Sequence, residues 1–173
     1  YGQVPKVTMM VAIQAGNVEQ AFEKRLYDSL VKDDLTGLPS RRFLADSVDR
    51  EIASADGASV AAVIADADHF SWVNDSFGKV AGDYVLRCIA NFFEDFKHDA
   101  DLLARGSGAS FVIVFRCGDL ISAVEKAERM RSLLEEQEFV WNSVPVPVTV
   151  SVGVACTSAR GIGTGEELLA RAE

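Results

Sequence analysis

Cysteine is scarce in this chain: Cys88, Cys117 and Cys156 stand far apart, with no paired spacing and no histidine close by. An odd number of isolated thiols in apolar surroundings is most simply read as neither a disulfide framework nor a metal site. It reads as reduced core thiols of a cytoplasmic protein. Long apolar runs are also missing, so nothing here is long enough to cross a bilayer as a helix. No stretch has the charged, apolar, small-residue order of a leader, and any anchor is expected outside this segment. Cations are outnumbered: 17 Lys and Arg against 26 Asp and Glu leave a formal net charge of -9. That balance disfavours binding to nucleic-acid backbones, which select basic surfaces, but it is compatible with a small nucleotide carried with magnesium.

What is present suffices for one domain and an extension. The 173 residues are 49% apolar, in short runs, enough for a core without disulfides. The informative stretch is 65–83, where an apolar run over 60–65 meets Asp66 and is followed by Asn74, Gly82 and Asp83 ahead of an amphipathic segment starting at Tyr84. A buried strand that delivers a carboxylate at its end, beside polar groups at the mouth of a helix, suits a metal and a nucleotide. Further on, two apolar runs flank Arg105-Gly106-Ser107-Gly108-Ala109-Ser110, which predicts a β-hairpin over 103–115.

These motifs, with Asp33-Asp34-Leu35-Thr36-Gly37-Leu38-Pro39-Ser40-Arg41 before them and Val150-Ser151-Val152-Gly153-Val154-Ala155 after them, resemble the GGDEF family, the diguanylate cyclase domains that join two GTP into cyclic di-GMP. The resemblance covers 33–173. It implies an α/β fold of the nucleotide-cyclase and polymerase-palm type, with a mixed central sheet flanked by helices. It also implies that Asp66 and the carbonyl of Ala67 face the metal and that Asn74 and Asp83 hydrogen-bond guanine. An amide and a carboxylate fit that base, which offers two N–H donors on one edge; the plainer role for Asn74 is a helix cap. Asp68 reads as a structural acid, His69 as a solvent-side residue, and Phe70 and Phe77 as core.

The chain departs from the family pattern where the chemistry would lie. Ser71 stands where a phosphate-binding lysine is usual, and Lys79 where histidine is common. The signature turn, Gly-Gly-Asp/Glu-Glu-Phe in the family, is Ser107-Gly108-Ala109-Ser110-Phe111. Ala109 replaces the second metal carboxylate and Ser110 the acid thought to help activate the attacking hydroxyl. Losing both should cost several kcal/mol of barrier, on the order of a thousandfold or more in rate. The inhibitory product site, Arg-x-x-Asp in the family, matches His98 and Asp101, and a neutral imidazole cannot replace the planar guanidinium fork. Arg105 matches the arginine ahead of the turn and reads as a hairpin or surface ion-pair residue, with Gly106 in an often bulky position.

Elsewhere, 4–13 reads as a strand and the segment from Asn17 as a helix whose Val18, Phe22, Leu26 and Leu30 form a stripe. That stripe packs on its own domain or forms a stalk that pairs two chains; the resemblance implies the stalk, fed by a PAS-type sensor. Thr36 is expected as a cap and Pro39 in the first turn of a helix over 40–53, with Phe43, Leu44, Val48 and Ile52 inward. A helix is expected over 84–96, and another over 120–138 with Ile121, Val124, Ala127, Met130 and Leu134 inward. A strand over 144–154 starts at an edge because of its prolines, and a last helix opens at Glu166. The division is thus 1–32 as sensor end plus stalk and 33–173 as the GGDEF-like domain. The expected function is a cyclase-inactive regulatory or dimerising module with weak magnesium and GTP binding, ahead of an EAL domain in the full chain. The alternatives are a slow diguanylate cyclase and a structural spacer.

Overall fold

The computed structural model describes residues 31–99, 101–158 and 162–173. The expected strand over 4–13 and the stalk stripe lie outside the described residues. Asp33 opens the described domain by folding a turn around its own carboxylate, which accepts from the Thr36 N–H at 2.9 Å and the Thr36 hydroxyl at 2.6 Å. The Thr36 hydroxyl thus donates backwards to Asp33 and accepts from the Leu38 N–H at 3.4 Å, inside the turn and not at a helix start, so it caps no helix. Pro39 precedes the helix rather than opening it. Helix α1 is Arg41–Ala53; Leu44 and Val48 are buried, whereas Phe43, expected inward, is 37% exposed.

Strand β1, Ser59–Ala67, is the expected central strand, with Val60 through Val63 almost free of solvent. Two short connections later come α2, Phe70–Phe77, and α3, Lys79–Phe96. The latter begins five residues before the expected start because Gly78, at φ +86, turns the chain and receives no interruption afterwards. Val85, Leu86, Ile89 and Phe93 are its buried face. The hairpin follows as β2, Leu102–Arg105, and β3, Ser110–Cys117.

Helix α4 is Leu120–Glu135, capped by a reciprocal Asp119 and Ser122 box. Its inward face is Ala123, Ala127, Met130 and Leu134. Ile121 and Val124, expected inward, are 70% and 46% exposed. The face is set by Ala123, whose small side chain lets the first turn approach the sheet. The expected strand over 144–154 is two elements. Val144–Pro145, β5, pairs with Val140–Trp141, β4, in a separate hairpin, and Val150–Cys156, β6, joins the main sheet. Pro147, which has no N–H to give a ladder, lies between them. Helix α5, Gly165–Ala172, closes the described chain with a Thr164 and Glu167 capping box.

The main sheet has the order β2-β3-β1-β6. The three pairings between these strands run antiparallel, and the parallel part of the expected mixed sheet is a single bridge, Ser40 to Arg105, at the β2 edge. The physical reason is that the hairpin inserts β3 between β2 and β1, which run the same way and never pair directly. Alternate β1 residues enter different cores: Ala61, Val63 and Ala65 pack with α3 and α4, and Val60 and Ala62 with α1 and α5. This is an α/β sandwich of helices on an antiparallel sheet, the palm-like architecture. No helix of the described residues is long and apolar enough to cross a membrane.

Candidate nucleotide and metal site

The sheet register brings the sequence motifs to one edge. Asp66, at the carboxyl end of β1, stands directly opposite Ser110 of β3 on one side and Ser151 of β6 on the other. Ala67 donates its N–H to the Ala109 carbonyl at 3.4 Å. The carboxylate of Asp66 is exposed, and burial together with the charge of Asp68 pushes its pKa up, against the pull of Arg105. Asp68 behaves as the structural acid expected. Its two oxygens accept from the hydroxyls of Thr149 and Ser151, each at 2.7 Å, and tie the end of β1 to the start of β6.

Those bonds, the Ser151 hydroxyl foremost, hold Asp68 below the usual carboxylate range despite some burial. A lowered folded-state pKa stabilises above the unfolded value and loses that contribution as pH falls through the folded one. Asp68→Asn should therefore flatten the fall in melting temperature below about pH 4. Parallel melting curves of the two proteins between pH 3 and 7 check this, and equal acid slopes would reject it.

The turn satisfies itself. Gly106 N–H reaches Ser110 O at 2.9 Å, Ser110 N–H reaches Ser107 O at 3.0 Å, and Gly108 supplies φ +60. The Ser110 hydroxyl also folds back onto Ser107 O at 2.8 Å, away from an acid's role across from Asp66. A Cβ at Gly106 would lie 2.1 Å from that hydroxyl oxygen, so glycine and this Ser110 rotamer require each other. Ala109 is 8% exposed and its methyl belongs to the core, with Phe111 beside Phe93.

Arg105 corrects its expected role. It is buried, donates to Ser110 O at 3.3 Å and to Gly108 O, and lies 4.5 Å over the Phe111 ring. It braces the turn from within the hairpin instead of standing at the surface.

Asn74 and Asp83 lie on α2 and α3, and glycine lets these helices meet. A Cβ at Gly82 would fall 2.0 Å from Asn74 Oδ1, so Asn74 lies directly over the residue before Asp83. Asn74 is inside α2 and not a cap, and Asp83 is a full turn inside α3 and not at its mouth. The sequence places Gly82 beside Asp83, and the structure adds its role: a close contact between the two helices, which spacing alone does not reveal. Ser71 and Lys79 are both exposed, as is His69; Phe70 and Phe77 pack, half-buried, against the core.

The groups that the family resemblance offers a metal at this edge are one carboxylate, Asp66, and the adjacent Ala67 carbonyl. Among the described residues no three His, Cys, Asp or Glu side chains converge. Such a set does not fit a clamp of divalent ions between two reacting oxygens.

At the other expected site, His98 and Asp101 are joined through their backbones: Asp101 N–H reaches His98 O at 2.9 Å, and the carboxylate accepts from the His98 N–H at 3.2 Å. The same carboxylate pairs with Lys126 of α4 at 2.7 Å. A cavity of about 610 Å³ is lined here by Phe96, His98, Ser122, Glu125, Lys126 and Arg129. Lys126 and Arg129 were not legible as neighbours of this site because they belong to a helix beyond the hairpin.

The fold and this edge define a nucleotide-cyclase type of domain, and comparison with known proteins names its family. Residues 30–173 match the model of the diguanylate cyclase GGDEF domain, and the chain belongs to that family. It is 34% identical over 159 residues to diguanylate cyclase DgcP of Pseudomonas aeruginosa, covering 89% of this chain and 23% of the relative. It is 35% identical over 147 residues to response regulator PleD of Caulobacter vibrioides, covering 83% and 32%. The chain thus spans about a quarter to a third of these relatives. Among solved structures it resembles the coiled coil and GGDEF domain of DgcB from Caulobacter crescentus in complex with c-di-GMP, with a TM-score of 0.79, 26% identity and coverage of 97% of this chain and 91% of that one.

Proposed function

We propose that this domain is a catalytically silent member of its family that serves as a regulatory, dimerising module in a cyclic di-GMP signalling protein and holds GTP through Asn74 and Asp83. The observation that carries the reading is the turn: a hydroxyl at Ser110, opposite Asp66 and committed to Ser107, and a core methyl at Ala109, beside Ala67, stand in the places of two acids. Nucleotidyl transfer between two GTP needs cations at the attacking and leaving oxygens and a group to take the proton. One carboxylate cannot do both.

Magnesium would then reach the site mainly as a companion of the triphosphate, weakly retained by Asp66. The pairing of Asp101 with Lys126 supports a weak product site, since the carboxylate is already engaged. The helical stripe before the domain is read as the dimerising stalk, with a PAS-type sensor before it, an EAL domain after it and a cytoplasmic location for all three. A stalk agrees with the coiled coil in the DgcB relative.

Calorimetric titration with GTP and magnesium, followed by chromatography of the mixture, tests this. Binding is expected to weaken by about tenfold or more in Asp83→Ala, the loss of one charged hydrogen bond to the base, with no cyclic di-GMP formed. Cyclic di-GMP made by the wild type would overturn the silence, and absence of heat would leave a scaffold without nucleotide.

A further inference from the structure

Isolated along the chain, two of the three cysteines meet in the fold. Cys117 ends β3 and Cys156 ends β6, and both strands pair with β1, where their partners are Ser59 and Ala61. Ladder partners share a face of the sheet, and so do residues two apart in a strand. Both thiols therefore lean over β1 on one face, where Ala61 presents only a methyl, and their sulfurs come within 3.5 Å. Cys156 is buried and Cys117 half-buried, so the pair is reached from solvent on the Cys117 side. Ser158 places its hydroxyl 3.1 Å from Cys156 Sγ.

A disulfide is a poor use of this geometry. Strands that flank a third lie about two spacings apart, roughly 9–10 Å, beyond the Cα separation of about 7 Å that a disulfide tolerates. A bridging ion fits better. Two metal–sulfur bonds of about 2.3 Å at a tetrahedral angle hold their sulfurs about 3.7 Å apart, close to the separation already present.

We propose that Cys117 and Cys156 form a seat for a thiophilic divalent cation of the zinc and cadmium kind, held by two thiolates with the Ser158 hydroxyl and water as neutral donors. Each thiol gives its proton to solvent and a sulfur lone pair to the ion; nothing is oxidised or reduced. No third His, Cys, Asp or Glu completes the set among the described residues. Two soft sulfurs therefore select the ion, and magnesium is excluded by ligand type. The bound ion would clamp β3 and β6 to each other across β1, at the end of the sheet opposite Asp66.

Protons oppose the binding. Burial, helped by Cys156 and the charge of Asp119 and opposed by Lys126, pushes the Cys117 thiol up to about 12. Burial would also raise Cys156, but hydrogen bonds from the Ser158 hydroxyl and backbone outweigh it and lower that thiol. Because the ion must displace at least the Cys117 proton, its affinity should rise about tenfold per pH unit for each proton released.

The test is titration of the reduced, metal-stripped chain with cadmium alone, following the thiolate-to-metal ultraviolet absorption and the release of protons. One cadmium per chain, at least one proton released, tighter binding at higher pH and no competition from excess magnesium are expected. The band should vanish in Cys117→Ser and in Cys156→Ala and persist in Cys88→Ser. Absence of the band, its loss only in Cys88→Ser, or its survival in the two paired variants would overturn the proposal. Because Cys117 is half-buried, its serine variant carries the test should the Cys156 variant fold poorly.

Discussion

Returning both acids to the turn, as Ala109→Asp with Ser110→Glu, should produce a domain whose melting temperature depends on magnesium. Both positions are under a tenth exposed and face the end of β1 that carries Asp66. Without metal, two carboxylates are forced close to a third, the Ser110 bond to Ser107 is lost, and the larger side chain meets the backbone around Gly106. The combined cost is about 2–4 kcal/mol, or roughly 5–15 °C in melting temperature for a domain of this size. Magnesium should recover most of that loss and leave the wild type unmoved.

With GTP present, the same variant should form cyclic di-GMP at a rate on the order of a thousandfold above the wild type, the scale of the metal and acid functions restored. Thermal melts in chelator and in magnesium, with product chromatography, measure both effects. A variant indifferent to magnesium would overturn the proposal that these two side chains silence the domain.

Arg105→Ala should be among the most damaging single changes in the hairpin. The guanidinium serves two carbonyls of one tight turn and covers an aromatic face while itself almost sealed from water. Losing charged hydrogen bonds and a desolvated cation–π contact costs about 3 kcal/mol. Arg105→Lys keeps the charge, but one ammonium cannot span both acceptors as a planar fork does, so it should recover less than half of the loss. Urea unfolding of the three proteins gives the comparison, and a lysine variant as stable as the wild type would mean that charge alone holds the turn. Burial works against the cation, and Asp33 and Asp66 offset this; the turn thus contains a fixed positive group near Asp66.

Much of the fold was legible, and each failure has a local cause. The uniform apolar run of β1 marked a strand buried on both faces, and the polar break at Gly106 to Ala109 marked the hairpin. Helix faces were less secure. Along α4 the apolar residues admit two faces, and selection of Ala123 over Ile121 and Val124 depends on how close the helix must come to the sheet. The start of α3 was misplaced because Lys79, Val80 and Ala81 carry no boundary signal once Gly78 has made the turn. The split of 144–154 turned on a reversal at Asn142 and Ser143, both at positive φ, which pairs two short strands away from the main sheet.

Residue identity and order by themselves determined the family, the alternation that buries β1, the carboxylate of Asp66 at its end and the presence of Ala109 and Ser110 in the turn. These are properties of side-chain chemistry and local period, which one chain carries in full. The tertiary structure decided what no spacing encodes: that Arg105 turns inward to its own hairpin, that Gly82 admits Asn74, that Lys126 claims Asp101, and that two distant cysteines meet over β1. Each is a contact between elements separated along the chain. Its existence depends on register and on the distance between packed backbones, quantities that arise only when the sheet and its helices come together.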